Sequence, residues 1–366
     1  MMAKKKDSTE PPASPDAGQA AKRMTLKTLA EHLELSPATV SLVLNNSPVA
    51  DSIPQRTKDR VLEAAREHNY RPDFAARTLR QGRSLSIGVM VSEISGGYSA
   101  GVMSGIERTL LPAGYFGLVA SHEFDHDYFR RYLDLFQDRS VDGYILVNTP
   151  VEETPALPTV VISGARELAG VSNVVIDHDH AAQLALQHLK ALGHQRIACF
   201  RGPSIIPDSE DRWRAIQKAA TDVGIALRED LMIQLGVEPL DRAFSLEEFY
   251  RSGYEIGQEL ARRHAEFTAL FAFNDPSAIG AMRAFQEAGI RVPEDISVVG
   301  FDDIESAAFH NPGLTTIKQP LHEMGEIGAR LLLKLLAGEV IEPGQIRVEP
   351  ELVVRESTAG SAHTRS

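Results

Sequence analysis

From Ser84 onward the chain repeats one grammar: a short apolar run, a stretch of helical periodicity, then another apolar run. The runs are LSIGVMV, YFGLVAS, DGYILVN, TVVISG, RIACF, ALFAFN and ISVVGF. Between most of them lie helical stretches such as GVMSGIERTLLPAG, YFRRYLDLFQDR, AAQLALQHLKALG and SAIGAMRAFQEAG. A strand that is apolar on both faces must be covered on both, and helices joining parallel strands do this. The pattern predicts doubly wound parallel sheets. At about 270 residues, the region exceeds one ordinary domain, so two α/β subdomains are expected.

The residues before it read differently. Thr25 can cap a helix with Leu26, Leu29, Ala30 and Leu33 on one face. Ser36-Pro37 starts a second, running to Leu44 with Val40, Val43 and Leu44 as its core positions, because Ser accepts from free N–H groups and Pro at the first position loses no needed donor. A third follows Pro54, with Val61, Leu62, Ala65 and Tyr70 facing inward. Two short helices on a tight turn, then a third, is the helix-turn-helix arrangement. Residues 1–23, rich in Lys, Pro, Ala, Ser and Asp, are expected to be a disordered tail.

Charge divides along the same line. Residues 22–84 carry eleven basic and seven acidic side chains, whereas residues 85–366 carry an excess of sixteen acidic ones. A basic head on an acidic body suits a head that meets a polyanion, although a balance of +4 fits chance as well. The single cysteine, Cys199, makes neither an internal disulfide nor a cysteine-based zinc site. With no apolar run of 18 residues and no apolar stretch behind the N-terminal lysines, a cytoplasmic protein is expected.

MTLKTLAEHLELSPATVSLVLNN resembles the lactose-repressor (LacI/GalR) family of bacterial transcription regulators. The likeness continues through TKDRVLEAAREHNYRPDFAARTLRQGRS, FAFNDPSAIGAMRAFQEAGIRVPEDISVVGFDDIE, LTTIKQP and LVVRES, and covers residues 25–358. It implies an α/β protein with an all-α helix-turn-helix head (24–71), a hinge helix (72–83) and a core like a periplasmic binding protein. That core would comprise residues 84–176 and 320–346 in one subdomain and 177–319 and 347–358 in the other, with 359–366 as a tail. The chain would cross between subdomains near Ile176, Ile317–Gln319 and Arg347. The resemblance also implies a homodimer on a palindromic double-stranded DNA operator, controlled by a small-molecule effector, a carbohydrate or similar polar metabolite. No leucine heptads follow Arg355, so the C-terminal tetramer helix of some relatives is not expected.

In the head, the resemblance implies DNA contacts from Thr25, Ser36, Pro37, Ala38, Thr39, Ser41, Leu42 and Asn45, the second helix lying in the major groove. Leu42 stands where similar proteins carry Arg, and apolar contact with a thymine methyl is its substitute for a bidentate guanine contact. The loop between Asn45 and Thr57 is about three residues longer than usual, an inexpensive change. Leu79 falls at the apolar wedge position that kinks the minor groove, with Arg80 at phosphates.

In the core, it implies a ligand cleft lined by Tyr98, Arg212, Phe249, Asn274 and Asp302. Asn274 and Asp302 would bind hydroxyls, Arg212 would offer a guanidinium fork, and Phe249 would stack on a ring. Two glycines, Gly96 and Gly97, replace an Asn-Pro pair, which predicts a looser or roomier loop. Asp303 is expected to cap the following turn, and Trp213 either packs or faces the cleft.

Catalytic residues and cofactors are not expected, since nucleophile-elbow, phosphate-loop and zinc-protease patterns are missing from the sequence. HEFDHDYF and DHDHAA read as helix starts rather than metal sites, Asp125 and Asp127 being natural caps. A solute sensor without a DNA role is the rival reading.

Overall fold

The computed structural model describes residues 24–45, 47–70, 82–151, 153–164, 168–236 and 246–361. The expected tail (1–23), nearly all of the expected hinge helix, and the last five residues lie outside them. The described chain divides into a head and a core, Arg83 beginning the latter.

The head contains α1 (Leu26–Leu33), α2 (Pro37–Leu44) and α3 (Gln55–Glu67). Leu29, Ala30, Leu33, Val40, Val43, Val61, Ala64 and Ala65 form its apolar centre, with Leu44 and Tyr70 packed against it. Leu62 was expected there but is 38% exposed. The inward stripe of α3 is Val61, Ala64 and Ala65, spaced i, i+3, i+4, which turns Leu62 outward. The long loop holds a single 3-10 turn, Pro48–Ser52, anchored by buried Ala50.

The core begins with β1 (Ser86–Val91), α4 (Gly97–Leu110), β2 (Phe116–Ser121), α5 (His126–Asp138), β3 (Gly143–Val147), β4 (Thr159–Ile162) and β5 (Ser172–Ile176). There follow α6 (His178–Ala191), β6 (Ile197–Arg201), α7 (Ser209–Val223), β7 (Met232–Gln234), α8 (Leu246–Arg262), β8 (Ala269–Phe271), α9 (Asp275–Glu287) and β9 (Ser297–Asp302). The chain closes with α10 (Glu305–Phe309), β10 (Thr315–Lys318), α11 (Leu321–Leu336), β11 (Gln345–Val348) and β12 (Glu351–Val353).

Two six-stranded sheets result, ordered β11-β5-β4-β3-β1-β2 and β12-β10-β9-β8-β6-β7. All their pairings are parallel except β12 against β10. Alternate residues serve opposite faces, as a doubly wound strand requires. In the N-terminal lobe Ile87, Val89 and Val91 pack with α4 and α11, whereas Met90 joins Tyr144, Leu146 and Phe136 of α5. In the C-terminal lobe Ile197 and Cys199 face α6 and α7, whereas Ala198 and Phe200 face α8 and α9. Burial pushes the Cys199 thiol up to about 12, leaving it a neutral packing group.

The chain passes between the lobes at Asp177, at Gln319–Pro320 and at residues 349–350. The third passage comes later than Arg347, because β11 keeps Arg347 and Val348 paired with Val175 and Ile176 of the first sheet. Residues 359–361 also differ from a tail: Ala359 N–H donates to Ser297 Oγ at 3.0 Å, and Ser361 N–H to the Leu192 carbonyl at 2.8 Å. The described part of the expected tail thus docks on the C-terminal lobe, where buried Ser297 and His194 supply polar partners to Ala359.

Candidate functional site

In the head, Thr25 and Thr28 form a reciprocal cap on α1, with N···Oγ1 distances of 2.8 and 3.2 Å. Ser36 Oγ accepts from Thr39 N–H at 3.1 Å and lies 2.8 Å from Thr39 Oγ1. Asn45 closes α2 by donating from Nδ2 to the Ser41 carbonyl at 2.5 Å. These side chains therefore organise helix ends irrespective of any partner. Beside them, Pro37, Ala38, Ser41, Leu42 and Asn45 fall at i, i+1, i+4, i+5 and i+8, one continuous stripe opposite buried Val40 and Val43. Ser36, Pro37 and Ala38 are exposed; Thr39, Ser41, Leu42 and Asn45 are half-buried. Leu79 and Arg80 lie outside the described residues.

In the core, the carboxyl ends of the strands meet across a cleft lined by Ser92, Glu93, Tyr98, Phe124, Asn148, Asp208, Arg212, Phe249, Phe273, Asn274, Asp302 and Ile304. All five expected ligand residues are among them. The crevice beyond the carboxyl ends of parallel strands is where open α/β sheets hold ligands. Its free space is about 60 Å³, below the ~300–1,000 Å³ of most small-molecule sites, so a ligand requires side chains or lobes to part.

Arg212 is the hub. Its Nη2 pairs with Asp208 Oδ2 at 3.0 Å and its Nη1 donates to the Phe273 carbonyl at 2.7 Å. The guanidinium carbon lies 3.9 Å from the Phe301 ring centre and 4.5 Å from that of Phe273. His178 Nε2 lies 3.4 Å from the same Asp208 oxygen, Oδ2. Burial alone would raise the Asp208 carboxyl, but the Arg212 charge and the His178 hydrogen bond override it and hold the group below the usual range.

Asp302 ends β9 and accepts from Gln319 Nε2 at 2.7 Å. Burial pushes its carboxyl up to about 7, despite the opposing Arg212 charge. Asp275, the first residue of α9, is fully buried and also raised, by burial and then by Asp302. Thr316 Oγ1 and Ile304 N–H donate to it. Asn274 spends its Oδ1 capping α9 at Ser277 N, which leaves its NH₂ to the cleft. Tyr98 OH lies 2.6 Å from Ser163 Oγ, and burial raises its phenol. Buried Asn148 Oδ1 and Arg212 Nε have no protein partner, an acceptor and a donor held ready at the cleft wall.

Sequence reasoning missed Asp208, Phe124, Asn148, Phe273 and Gln319. Only Asp208 carried a local signal, as an acid four residues before Arg212 at the N-cap of α7. The backbone carries another: Glu123, Phe124, Asn148, Ser163, Asp302 and Asp303 all have positive φ at or just beyond the ends of β2, β3, β4 and β9. Such strain in non-glycine residues persists where the surroundings enforce it, and it gathers at ligand sites.

The glycine loop is not roomy. A Cβ at Gly97 would lie 2.9 Å from Ile304 Cβ of the opposite lobe, and Gly96 N–H donates to Glu93 Oε2 at 2.6 Å. Gly97 is used for close approach between lobes, and Gly96 for close approach to Glu93 within its own lobe. Asp303 is structural, as expected, but through an ion pair with Arg355 at 2.6 Å rather than as a cap. Asp125 and Asp177 each cap a helix. Three or more His, Cys, Asp or Glu side chains placed to hold a metal do not occur among the described residues. Nor, among them, is any helix long and apolar enough to cross a membrane.

Residues 25–73 match bacterial regulatory proteins of the lacI family, and residues 186–358 match a periplasmic binding protein-like domain. The chain is 30% identical over 347 residues to the HTH-type transcriptional repressor PurR of Aliivibrio fischeri, covering 91% of this chain and 98% of that one. A lac repressor dimer bound to operator and the anti-inducer ONPF superposes with a TM-score of 0.78 at 27% identity, covering 92% of this chain and all of the other. The transcriptional regulator CelR in complex with cellobiose superposes at 0.64, with 28% identity and the same coverage.

Proposed function

The chain belongs to the LacI family of bacterial regulatory proteins and is a DNA-binding transcription regulator, and on that premise we propose that it is a dimeric repressor governed by a hydroxyl-rich metabolite in the cleft between its lobes. The stripe from Pro37 to Asn45 reads a palindromic operator, Leu42 contributing apolar contact in place of a donor. Leu79 and Arg80 act at the minor groove and phosphates.

The observation that carries the effector reading is the convergence of Arg212, Asn274 and Asp302 in one cleft with unpartnered acceptor and donor atoms beside them. Asp302 accepts from ligand hydroxyls, the Asn274 amide donates, and Arg212 holds Asp208 and the ring stack in register. Because residues of both lobes line the cleft, a ligand that prefers one lobe separation shifts the population of that state, and DNA affinity follows.

Selection of bound sequences from a random duplex pool, at fixed and stated salt, tests the proposal. An enriched palindrome whose recovery changes when a sugar mixture is added supports it. A folded protein that enriches no sequence, with or without the mixture, refutes it.

A further inference from the structure

The cleft has two chemically distinct ends. Hydrogen-bonding groups gather around Arg212, Asn274 and Asp302. The other end is apolar: the Phe249 and Phe273 rings lie 6.0 Å apart at 26°, beside Ile206, and all three come from the C-terminal lobe. From the N-terminal lobe Phe124 lines the cleft and packs against that cluster.

Phe124 is held in place by an unusual local arrangement. It and Glu123 are consecutive non-glycine residues with φ of 58° and 50°. Such conformations are strained for residues that carry a side chain and persist only where the surroundings enforce them. The buried His122 sustains the turn: its Nδ1 accepts from Phe124 N–H at 3.1 Å. Its Nε2 therefore carries the proton and donates to Thr149 Oγ1, also at 3.1 Å, while the Thr149 hydroxyl donates onward to the Val147 carbonyl. The imidazole meets the Phe124 ring edge-on, 5.5 Å between centroids. Burial lowers His122 to about 4, so this neutral tautomer persists at neutral pH. Neither fold nor polyol binding requires a strained turn that aims an aromatic ring at the opposite lobe.

We propose that the effector carries a flat aromatic ring joined to its hydroxyl-bearing part, and that Phe124 is the specificity-determining residue that closes on this ring against Phe249. The inference rests on the cleft being the effector site and deepens that reading. The shared ligand chemistry is a polyol ring bonded to a planar ring, found in both aryl glycosides and nucleosides. Stacking of such a ring between two phenyl groups adds affinity that a bare sugar does not receive.

The test uses the full chain, with Trp213 fluorescence and calorimetry as readouts. The probes are phenyl glycosides of common hexoses and pentoses, the four ribonucleosides, and their ringless counterparts, methyl glycosides and ribose. At least one ring-bearing compound is expected to bind tenfold or more tighter than its counterpart, and whether it is a phenyl glycoside or a nucleoside identifies the source. Phe124→Ala is expected to erase that preference while leaving the counterpart within twofold. If Phe124→Ala fails to fold, by circular dichroism, Phe124→Leu keeps the bulk but not the flat face and loses the preference at least fivefold. Equal binding of ringed and ringless compounds, equal loss for both in the Phe124 variant, or no binding by any ringed compound overturns the proposal. Asp302→Asn separates the underlying reading: undiminished affinity there for whichever compound binds means the cleft assignment itself is wrong.

Discussion

Asp208→Ala removes one half of an ion pair whose side chains are 8% and 6% exposed, leaving the Arg212 guanidinium charged, dry and short of a partner. The remaining contacts are the Phe273 carbonyl at 2.7 Å and two aromatic faces at 3.9 and 4.5 Å. Cation–π attraction of roughly 0.5–2 kcal/mol per face is already present in the wild type and cannot grow to replace a carboxylate. Breaking a buried pair from one side typically costs about 3–5 kcal/mol, most of it the desolvation of the stranded charge. That range is expected for unfolding of the C-terminal lobe. Asp208→Ala/Arg212→Met, which removes the charge as well, should recover at least half of the loss. Urea unfolding followed by Trp213, the only tryptophan and the neighbour of Arg212, reports on this lobe. The sign with pH follows: Asp208 has a depressed native pKa, so its contribution is present above the unfolded value near ~4 and fades as pH falls below it. A single variant within about 1 kcal/mol of wild type, or a double variant less stable than the single, would refute the buried-charge argument.

Three further outcomes are expected. Asp302 has a native pKa of about 7 against ~3.9 unfolded, so its destabilising burial is absent below pH ~4 and complete above 7; Asp302→Asn should gain stability relative to wild type between pH 5 and pH 8, and a constant difference across that range in urea titrations contradicts the raised value. A Cβ at Gly105 would lie 1.9 Å from the His322 carbonyl oxygen, so Gly105→Ala must push α4 and α11 apart, at about 1–3 kcal/mol or more; an unchanged thermal midpoint contradicts that close approach. Leu29 is fully buried in a small head, and Leu29→Ala should cost roughly 2–5 kcal/mol, abolishing DNA retardation while calorimetric ligand binding by the core persists; wild-type DNA affinity rules it out.

Much of the fold was readable because long apolar runs have few alternatives. All seven named runs contain strands of the two sheets. The strands that escaped, β5, β7, β10, β11 and β12, are three to five residues long and mix polar with apolar positions, so their pairing depends on tertiary partners more than on local pattern. Leu62 shows the same limit within a helix: size suggested burial, but the close packing of α3 uses Ala64 and Ala65 instead. In the cleft, Arg212, Asn274 and Asp302 were visible through the family resemblance of the motifs that hold them. Gln319, Asn148 and Phe124 were not, because nothing in their neighbours' identity reveals a left-handed turn or a contact across lobes. Asp208 stood in plain view, yet an i,i+4 acid and base on a helix usually mark a solvated pair, and burial alone gives this one its weight.

The two late returns of the chain set an order for its birth on the ribosome. The apolar centre of the head is complete once Tyr70 has emerged. Neither lobe is then close to finished. The N-terminal lobe waits for α11 and β11, some 250 residues later, and the C-terminal lobe for β12 and the segment that hydrogen-bonds Ser297 and Leu192. Nascent chains therefore hold all of the head's core residues long before they have a complete lobe. A message cut short before the codon for Leu321 yields a head with no means of being switched.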